Sequence, residues 1–295
     1  MQSPTTRRRL LAGGAGATLA ALAGCTGMTP LVGQRLATDL SLSPNGADRV
    51  AVFGRIGTIT IVGEERDDVD VHAVKQSSSL RSDLDDLSIE TAVRNGRLEI
   101  RGEFDGDTGW FESEPMIDLT VRIPESLAVE HVETAVGGAT LENVIGDVRI
   151  ESTTGSIDVK GVEGSIEAKS STGRIAIADV TGTASARATT GRIEVTDVGT
   201  TGDLSTTTGR IDADIPAIDG DTTVRTQTGR ITAAIGPDLD AELSATSSTG
   251  QVSEEEPLVD VTTSDRNSLE GTLGAGGPTL IIESQTGRIT LSVLE

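Results

Sequence analysis

The stretches STGRIAIADV (residues 171–180), TTGRIEVTDV (189–198) and TTGRIDADI (207–215) repeat one phrase at a constant spacing. Each phrase opens with a Thr-Gly pair and continues with alternating apolar residues, as in Ile175 and Ile177. Alternation with a period of two predicts half-buried β-strands. A fixed period predicts a stacked architecture, in which each repeat buries its apolar face against its neighbours.

Turn glycines extend this repeat over about half of the chain. Their spacing is constant up to Gly209, slightly longer before Gly229 and Gly250, and about twice as long before Gly287, which we interpret as two further periods. A second Gly-led strand, such as GSIEA at residues 164–168, lies midway between them. We therefore predict an all-β protein, a parallel β-solenoid (β-helix) of two-sided coils with about 18 residues per coil. The predicted turn glycines are Gly155, Gly173, Gly191, Gly209, Gly229, Gly250 and Gly287.

Parallel stacking explains both residues of the Thr-Gly pair. It places equivalent residues about 4.8 Å apart, whereas antiparallel pairing would set unlike half-repeats side by side. A sharp corner needs a positive φ, and a side chain there would meet its own copy in the next coil, so both demands favour glycine. The β-branched Thr before each glycine can form a ladder of contacts between coils.

The chain divides into four parts in this interpretation. Residues 1–24 form an export signal, residues 25–45 a tether, residues 46–130 a less regular β-solenoid that acts as a cap, and residues 131–295 the regular repeats. Solenoids need atypical end coils to cover their open strand edges. The final phrase, TGRITLSVLE, ends the sequence, and we expect its strand to be an exposed edge.

The N-terminal segment resembles an export signal of the twin-arginine type. Arg7 and Arg8 precede an uncharged run at residues 10–24, which is too short to span a bilayer, and LAGC at residues 22–25 resembles a lipobox. Cleavage before Cys25, the only cysteine, would leave a lipidated N-terminus that anchors an exported protein to the outer face of the cytoplasmic membrane, at the cell surface. An uncleaved signal anchor and a soluble secreted product stay open as alternatives.

Composition restricts the function. Acidic residues outnumber basic ones by 46 to 24, for a net charge of −22, which excludes nucleic acid as a partner. An acid-rich surface with few lysines resembles that of proteins from extreme halophiles, in which net charge maintains solubility. Aromatic residues make up only 1% of the chain, so small aliphatic side chains must fill a thin core.

Residues 47–295 resemble the putative-adhesin β-solenoid family known as domain of unknown function 4097. The motifs that carry the resemblance are GTITIVG (57–63), IDLTVRIPESL (117–127), TTGSIDV (153–159), STGRIAI (171–177) and TTGRIEV (189–195). The resemblance implies a right-handed β-solenoid on an envelope-attached protein and brings no catalytic residues. The chain departs from the family pattern in its acidic surface and in the irregular residues 254–277.

No constellation of residues predicts catalysis, a cofactor or a metal site. The two histidines, His72 and His131, are far apart in the sequence, and the only cysteine lies in the signal region. This separation fits neither a metal-ligand motif nor a His-based triad. Clustered carboxylates are expected to be solvated faces, while an uncharacterised carboxylate pair or loosely bound calcium stays open.

The residue after the turn glycine is usually arginine, and strand alternation points it outward as a surface column. One interpretation is a binding face for sulfated or uronic-acid glycans, because the planar guanidinium matches such groups. The other, which we favour, is local balance by acids two residues further on. The predicted column contains Arg174, Arg192, Arg210, Arg230 and Arg288. The balancing acids are Asp158, Glu194 and Asp212.

Trp110 and Phe111 lie in the insertion FDGDTGWFESEP (residues 104–115), which holds most of the aromatic residues. We favour a structural interpretation, in which these rings fold back over the first coils. The alternative is a partner-binding hot spot, for which exposed Trp is typical.

These observations favour a non-enzymatic, lipid-anchored β-solenoid that presents a stacked surface to its partners. The expected partners are membrane lipid, through the anchor, and an envelope protein or an anionic glycan. A polysaccharide lyase or hydrolase of the β-helix type is an alternative, although such enzymes usually have three-sheet coils and aromatic platforms for sugar rings. A structural or sensory accessory of a membrane protein is a further alternative that the sequence does not separate from the first.

Overall fold

The structure is a computed structural model that describes residues 34–78, 84–106, 114–258 and 260–294. These residues belong to one structural unit, residues 32–295. Arg7, Arg8 and Cys25, on which the export and lipid-anchor predictions depend, lie outside the described residues. Trp110 and Phe111 also lie outside them.

The described residues are almost entirely β-strand, with one 3-10 turn at Leu84–Asp86. The strands join into one continuous, mostly parallel hydrogen-bonded array. They are β1 (Gln34–Leu42), β2 (Arg49–Ile56), β3 (Ile59–Glu64), β4 (Val69–Ser77), β5 (Leu87–Arg94), β6 (Arg97–Phe104), β7 (Met116–Pro124), β8 (Ala128–Val136), β9 (Ala139–Ile145), β10 (Val148–Thr154), β11 (Ile157–Glu163), β12 (Ile166–Thr172), β13 (Ile175–Ile215), β14 (Thr222–Ile235), β15 (Ala241–Glu254), β16 (Asp260–Asp265), β17 (Ser268–Leu273) and β18 (Thr279–Val293).

Parallel pairing sets equivalent residues of successive repeats side by side. Ile157 in β11 pairs with Ala139 on one side and with Ile175 on the other, each one period away in the sequence. Strands that precede a Thr-Gly turn pair with one another and form the first face, which includes β8, β10 and β12. Strands that follow the turn form the second face, which includes β9 and β11. We call one first-face strand, its turn and the following second-face strand a rung. The predicted parallel pairing is confirmed.

A thin aliphatic core lies between the two faces. The first apolar residue after six of the seven predicted Thr-Gly turns is a completely buried isoleucine, and complete burial of one such side chain contributes about 1.5–3 kcal/mol. Smaller residues, such as Ala168 and Ala186, lie in the first face. The buried core of the described residues contains no aromatic side chain, as the composition predicted. The buried isoleucines after the turns are Ile157, Ile175, Ile193, Ile211, Ile231 and Ile289.

Rungs at the N-terminal end do not follow the order of the sequence. β2 pairs with both β6 and β8, and β3 pairs with both β7 and β9. The rung made by β6 and β7 therefore lies outside the rung made by β2 and β3, although it comes later in the chain. Antiparallel strands continue both faces beyond it, with β5 on β6, β4 on β7 and β1 on β4.

The prediction that residues 25–45 form a tether is wrong for most of the described residues in this range. Residues 34–42 form β1, which pairs with β4 in an antiparallel register. Leu40 and Leu42 pack against the core, and His72 Nδ1 on β4 lies 2.6 Å from Asp39 Oδ1. The periodicity of β1 is weak because it is an edge strand with a largely exposed surface, so its pairing depends on a partner far away in the sequence.

The predicted exposed edge at the last strand is also wrong. β18 pairs in parallel with β14 on one side and with β15 on the other, so it is an interior strand. The long interval before Gly287 is not two periods, because β16 and β17 form an antiparallel hairpin within it. β17 in turn pairs antiparallel with β15. A hairpin adds residues without adding a parallel rung, so spacing alone miscounts it.

Candidate functional site: the arginine column

The Thr-Gly turns stack so closely that only glycine fits. Gly191 has a φ of 153°, and a Cβ built on it would lie 1.8 Å from the carbonyl oxygen of Gly173. The turn backbones therefore touch from rung to rung, and the side chain after each glycine is exposed. Gly250 shares the close contact, since its Cβ would lie 1.7 Å from Gly287 O, but it is not among the positive-φ glycines.

This stacking brings the predicted arginines together as one exposed column. Arg210 pairs in register with Arg230, and Gln251 pairs with Arg288. Because β18 lies between β14 and β15, Arg288 is next to Arg230 although β15, β16 and β17 come between them in the sequence. We call this surface the arginine column. Its spatial order is Arg174, Arg192, Arg210, Arg230 and Arg288, followed by Gln251.

Acids balance the first three members of the arginine column. Arg174 Nη2 donates to Glu194 at 2.9 Å, and Arg192 Nη2 donates to Asp212 at 2.7 Å. Arg210 Nε donates to the other oxygen of Asp212 at 2.7 Å. The hydrogen bond to Asp212 raises the pKa of Arg192. The favoured interpretation of local balance therefore holds for this part of the column, through an acid on the next rung for Arg174 and Arg192 and on the same rung for Arg210.

Balance by acids stops beyond Asp212. Two residues after Arg230 comes Thr232, and two residues after Arg288 comes Thr290. Neither Arg230 nor Arg288 forms an ion pair or side-chain hydrogen bond with another described residue, and both are exposed. Asp158, the other predicted balancing acid, also forms no ion pair within the described part of the chain. The arginine column thus has a neutralised part and a part whose charge is uncompensated.

A surface pocket of about 610 Å³ adjoins the unbalanced part. It brings Arg288 together with Arg266, which the sequence did not single out because it lies in the turn between β16 and β17. None of the described residues that line this pocket is acidic. We call it the Arg266 pocket. It is lined by Ser248, Thr249, Gly250, Gln251, Arg266, Asn267, Gly287 and Arg288.

Hydroxyl side chains three residues before the turn glycines form a second column that the sequence reasoning missed. They point inward, and several donate to the carbonyl oxygen of a turn glycine in the neighbouring rung. Ser152 Oγ donates to Gly137 O at 3.1 Å, and Ser247 Oγ donates to Gly287 O at 2.8 Å. The available signal was a Ser or Thr at this position in six of seven repeats. Its role is structural, because it satisfies a buried carbonyl.

One group of side chains could hold a metal ion, contrary to the expectation of no metal-ligand arrangement. Parallel pairing of β8 with β10 brings His131, Glu133 and Glu151 together, with ligand atoms within 4.8 Å of one another. His131 Nε2 is buried and has no hydrogen-bond partner among the described residues. However, Arg149 Nη2 lies 2.6 Å from Glu151, so that carboxylate is already neutralised. Sequence spacing missed the group because His131 and Glu151 belong to adjacent rungs.

The exposed side of the first face carries mixed charges. A groove of about 640 Å³ there is lined by side chains that include Arg149, Glu167 and Lys169. Arg149 lies 3.2 Å from Glu167, and a hydrogen bond from Lys169 holds the pKa of Glu167 below its ordinary value. Acidic side chains thus compensate positive charge in this groove, whereas no described acid does so in the Arg266 pocket.

Comparison with known proteins identifies the family. The sequence model of the family described as Toastrack DUF4097 matches residues 56–292. The chain belongs to this family. The match includes strands β3 to β17 and nearly all of β18, whereas β1 and almost all of β2 precede it. No curated protein matches the sequence.

Several solved structures are similar to this chain at low sequence identity. A putative adhesin from Bacteroides fragilis NCTC 9343 is 14% identical, with coverage of 88% of this chain and 97% of that chain and a TM-score of 0.50. A putative adhesin from Parabacteroides distasonis ATCC 8503 is 13% identical, with coverage of 88% and 98% and a TM-score of 0.31. A putative lipid binding protein from the same organism is 13% identical, with coverage of 90% and 98% and a TM-score of 0.38. Among the described residues of this Toastrack chain, no helix is long and apolar enough to cross a bilayer.

Proposed function

We propose that this Toastrack protein is a non-enzymatic binding module of the cell surface, which presents its stacked polar rungs to an anionic glycan or an envelope protein. The observation that carries the proposal is the exposed arginine column, in which parallel pairing repeats a cationic donor at the same place on successive rungs. A linear array with a repeat of about 4.8 Å suits an extended partner better than a small molecule. The name of the Bacteroides fragilis structure, a putative adhesin, agrees with this role.

The scaffold in this proposal is a β-solenoid of two-sided coils of about 18 residues, with the less regular N-terminal strands as its cap. Antiparallel strands at both ends support this interpretation, because β4, β5 and β17 cover edges of the parallel-paired strands β7, β6 and β15. Covered edges would keep a long stack from pairing with a second copy.

Glycan binding is tested with the full chain and an array of neutral, sulfated and uronic-acid polysaccharides. Retention of acidic glycans, with no new reducing or unsaturated ends after prolonged incubation, supports the binding module. Product formation would overturn the non-enzymatic proposal in favour of a lyase or hydrolase. Failure to bind any glycan, together with co-purification of one membrane protein, would favour an accessory role instead.

Attachment to the membrane is a separate part of the proposal. We propose that Arg7 and Arg8 direct export, and that Cys25 carries the lipid that anchors the protein to the outer face of the membrane. Metabolic labelling with a radioactive fatty acid tests this directly. Wild-type protein should be labelled and sediment with membranes, whereas Cys25→Ser should be unlabelled. A Cys25→Ser variant that is still labelled would contradict the lipid anchor.

A further inference from the structure

The two parts of the arginine column differ in what surrounds each guanidinium. At Arg192 and Arg210 the carboxylate of Asp212 accepts hydrogen bonds from both side chains. At Arg230 and Arg288 threonines occupy the equivalent positions, and no described acid contacts either guanidinium. Two like charges on adjacent rungs repel each other. Asp212 offsets this repulsion for Arg192 and Arg210. No described acid offsets it for Arg230 and Arg288.

Backbone hydrogen bonds hold a third cation, Arg266, beside the unbalanced part of the arginine column. Ser247 N donates to Asn267 O at 2.8 Å, and Val252 N donates to Arg266 O at 3.0 Å. These hydrogen bonds fasten the turn between β16 and β17 beside the Thr249-Gly250 turn, so Arg266 shares the pocket with Arg288. Arg266 forms no ion pair with any described residue. Asp265 precedes it in the chain but does not line the pocket.

Neutral hydrogen-bonding groups complete the lining of the Arg266 pocket. Ser248 and Thr249 carry hydroxyls, and Gln251 and Asn267 carry amides, all on exposed residues. Hydroxyl and amide groups can donate to an anion without cancelling the charge of the arginines. An acid-free lining is notable in a chain with a net charge of −22, because acids are plentiful over the rest of its surface.

We propose that the Arg266 pocket is the anion-binding site of this module and holds the sulfate or carboxylate group of an acidic glycan between Arg266 and Arg288, with Arg230 on the next rung. The planar guanidinium binds such oxyanions through paired, charge-assisted hydrogen bonds. This inference rests on the proposed glycan-binding function and assigns it to one place.

Two variants of the full chain with equal charge change test the assignment. Arg266→Gln/Arg288→Gln removes two cations from the pocket, whereas Arg122→Gln/Arg225→Gln removes two exposed, acid-paired cations outside the arginine column. Binding is measured by calorimetry with chondroitin sulfate and with polygalacturonate, which separate sulfate esters from carboxylates. We expect the pocket variant to lose about tenfold or more in affinity and the control variant to change by less than about threefold.

The outcomes separate this inference from the proposed function. Equal losses in both variants, or none in the pocket variant, would overturn the site while leaving glycan binding intact. If the wild-type chain binds neither polysaccharide but binds inorganic sulfate in an Arg266-dependent way, the anion-binding site is supported and the glycan ligand is refuted. Binding of none of these probes would refute both. The single variant Arg266→Gln, in an exposed turn, repeats the test if the double variant does not fold.

Discussion

Ile289 pairs in register with Ile231, although β15, β16 and β17 separate their strands in the sequence, and the strand of Ile289 also pairs with that of Val252. The last strand is therefore inserted between two rungs that are already consecutive in the sequence. Thr279 N fastens its beginning by donating to Asp221 Oδ1 at 2.8 Å. Both neighbours of β18 thus depend on a segment at the end of the chain.

Shortening the side chain of Ile289 to alanine tests whether β18 is an interior strand. Because its side chain is completely buried, Ile289→Ala should lower the free energy of unfolding by about 2–5 kcal/mol. Denaturant unfolding provides the measurement. Val136→Ala is the control, since Val136 is 46% exposed and should cost about 0.5 kcal/mol or less. A similarly small loss of stability for Ile289→Ala would contradict the interior position of β18 and indicate an exposed edge strand.

A methyl group at the stacked turn should be poorly tolerated. Gly191→Ala places a Cβ 1.8 Å from Gly173 O at a φ of 153°, so we expect a loss of about 3 kcal/mol or more, measured by denaturant unfolding. Gly220→Ala is the matched control, because a Cβ at Gly220 would meet nothing within 4 Å. Equal stability of the two variants would contradict the close stacking of turns.

Removal of inward hydroxyls should have opposite effects at two positions. Ser247 Oγ donates to Gly287 O, so Ser247→Ala should destabilise by about 1 kcal/mol, because a buried carbonyl loses its donor. Thr226 Oγ1 is buried without a hydrogen-bond partner among the described residues, so Thr226→Val should be neutral or stabilising. Thermal unfolding of both variants tests the pair. A stability loss for Thr226→Val as large as that for Ser247→Ala would show that the inward hydroxyls do not stabilise the fold through hydrogen bonds to glycine carbonyls.

Glu99 should contribute to stability in a pH-dependent way. Arg97 Nη2 donates to its carboxylate at 2.5 Å, and this bond, aided by Arg101, holds the pKa of Glu99 below its ordinary value. Because the folded-state pKa is the lower one, this stabilisation is present above the unfolded-state pKa, about 4.3. It is lost as the pH falls through the folded-state value.

The Glu99→Gln variant should therefore lose stability at neutral pH and show a smaller further loss below about pH 4.3 than the wild type. Urea unfolding across acidic and neutral pH gives both quantities. Glu90→Gln is the control, because Glu90 is exposed and forms no described ion pair. Parallel acid dependence of the wild type and Glu99→Gln would show that Glu99 does not act through this ion pair.

Periodicity predicted the parallel rungs because neighbouring strands carry equivalent residues, as Ile157 and Ile175 do. The positions of the first four column arginines followed from the same repeat. Arg266 could not be found this way, because it lies in a hairpin turn outside the period. Backbone hydrogen bonds from Val252 N to Arg266 O and from Ser247 N to Asn267 O hold that turn at the pocket. The group around His131 was missed because its members meet only across adjacent rungs.

The sequence by itself determined the strands of the regular repeats, their inward and outward faces, and the turns at which glycine is required, because these depend on local alternation and on contact between like residues. Only the tertiary structure decided the order of the end rungs, the pairing of β1 and the partners of each arginine. Those features depend on which open edge a distant segment covers. Edge pairing is backbone hydrogen bonding, which any strand can supply, so no local pattern records the choice.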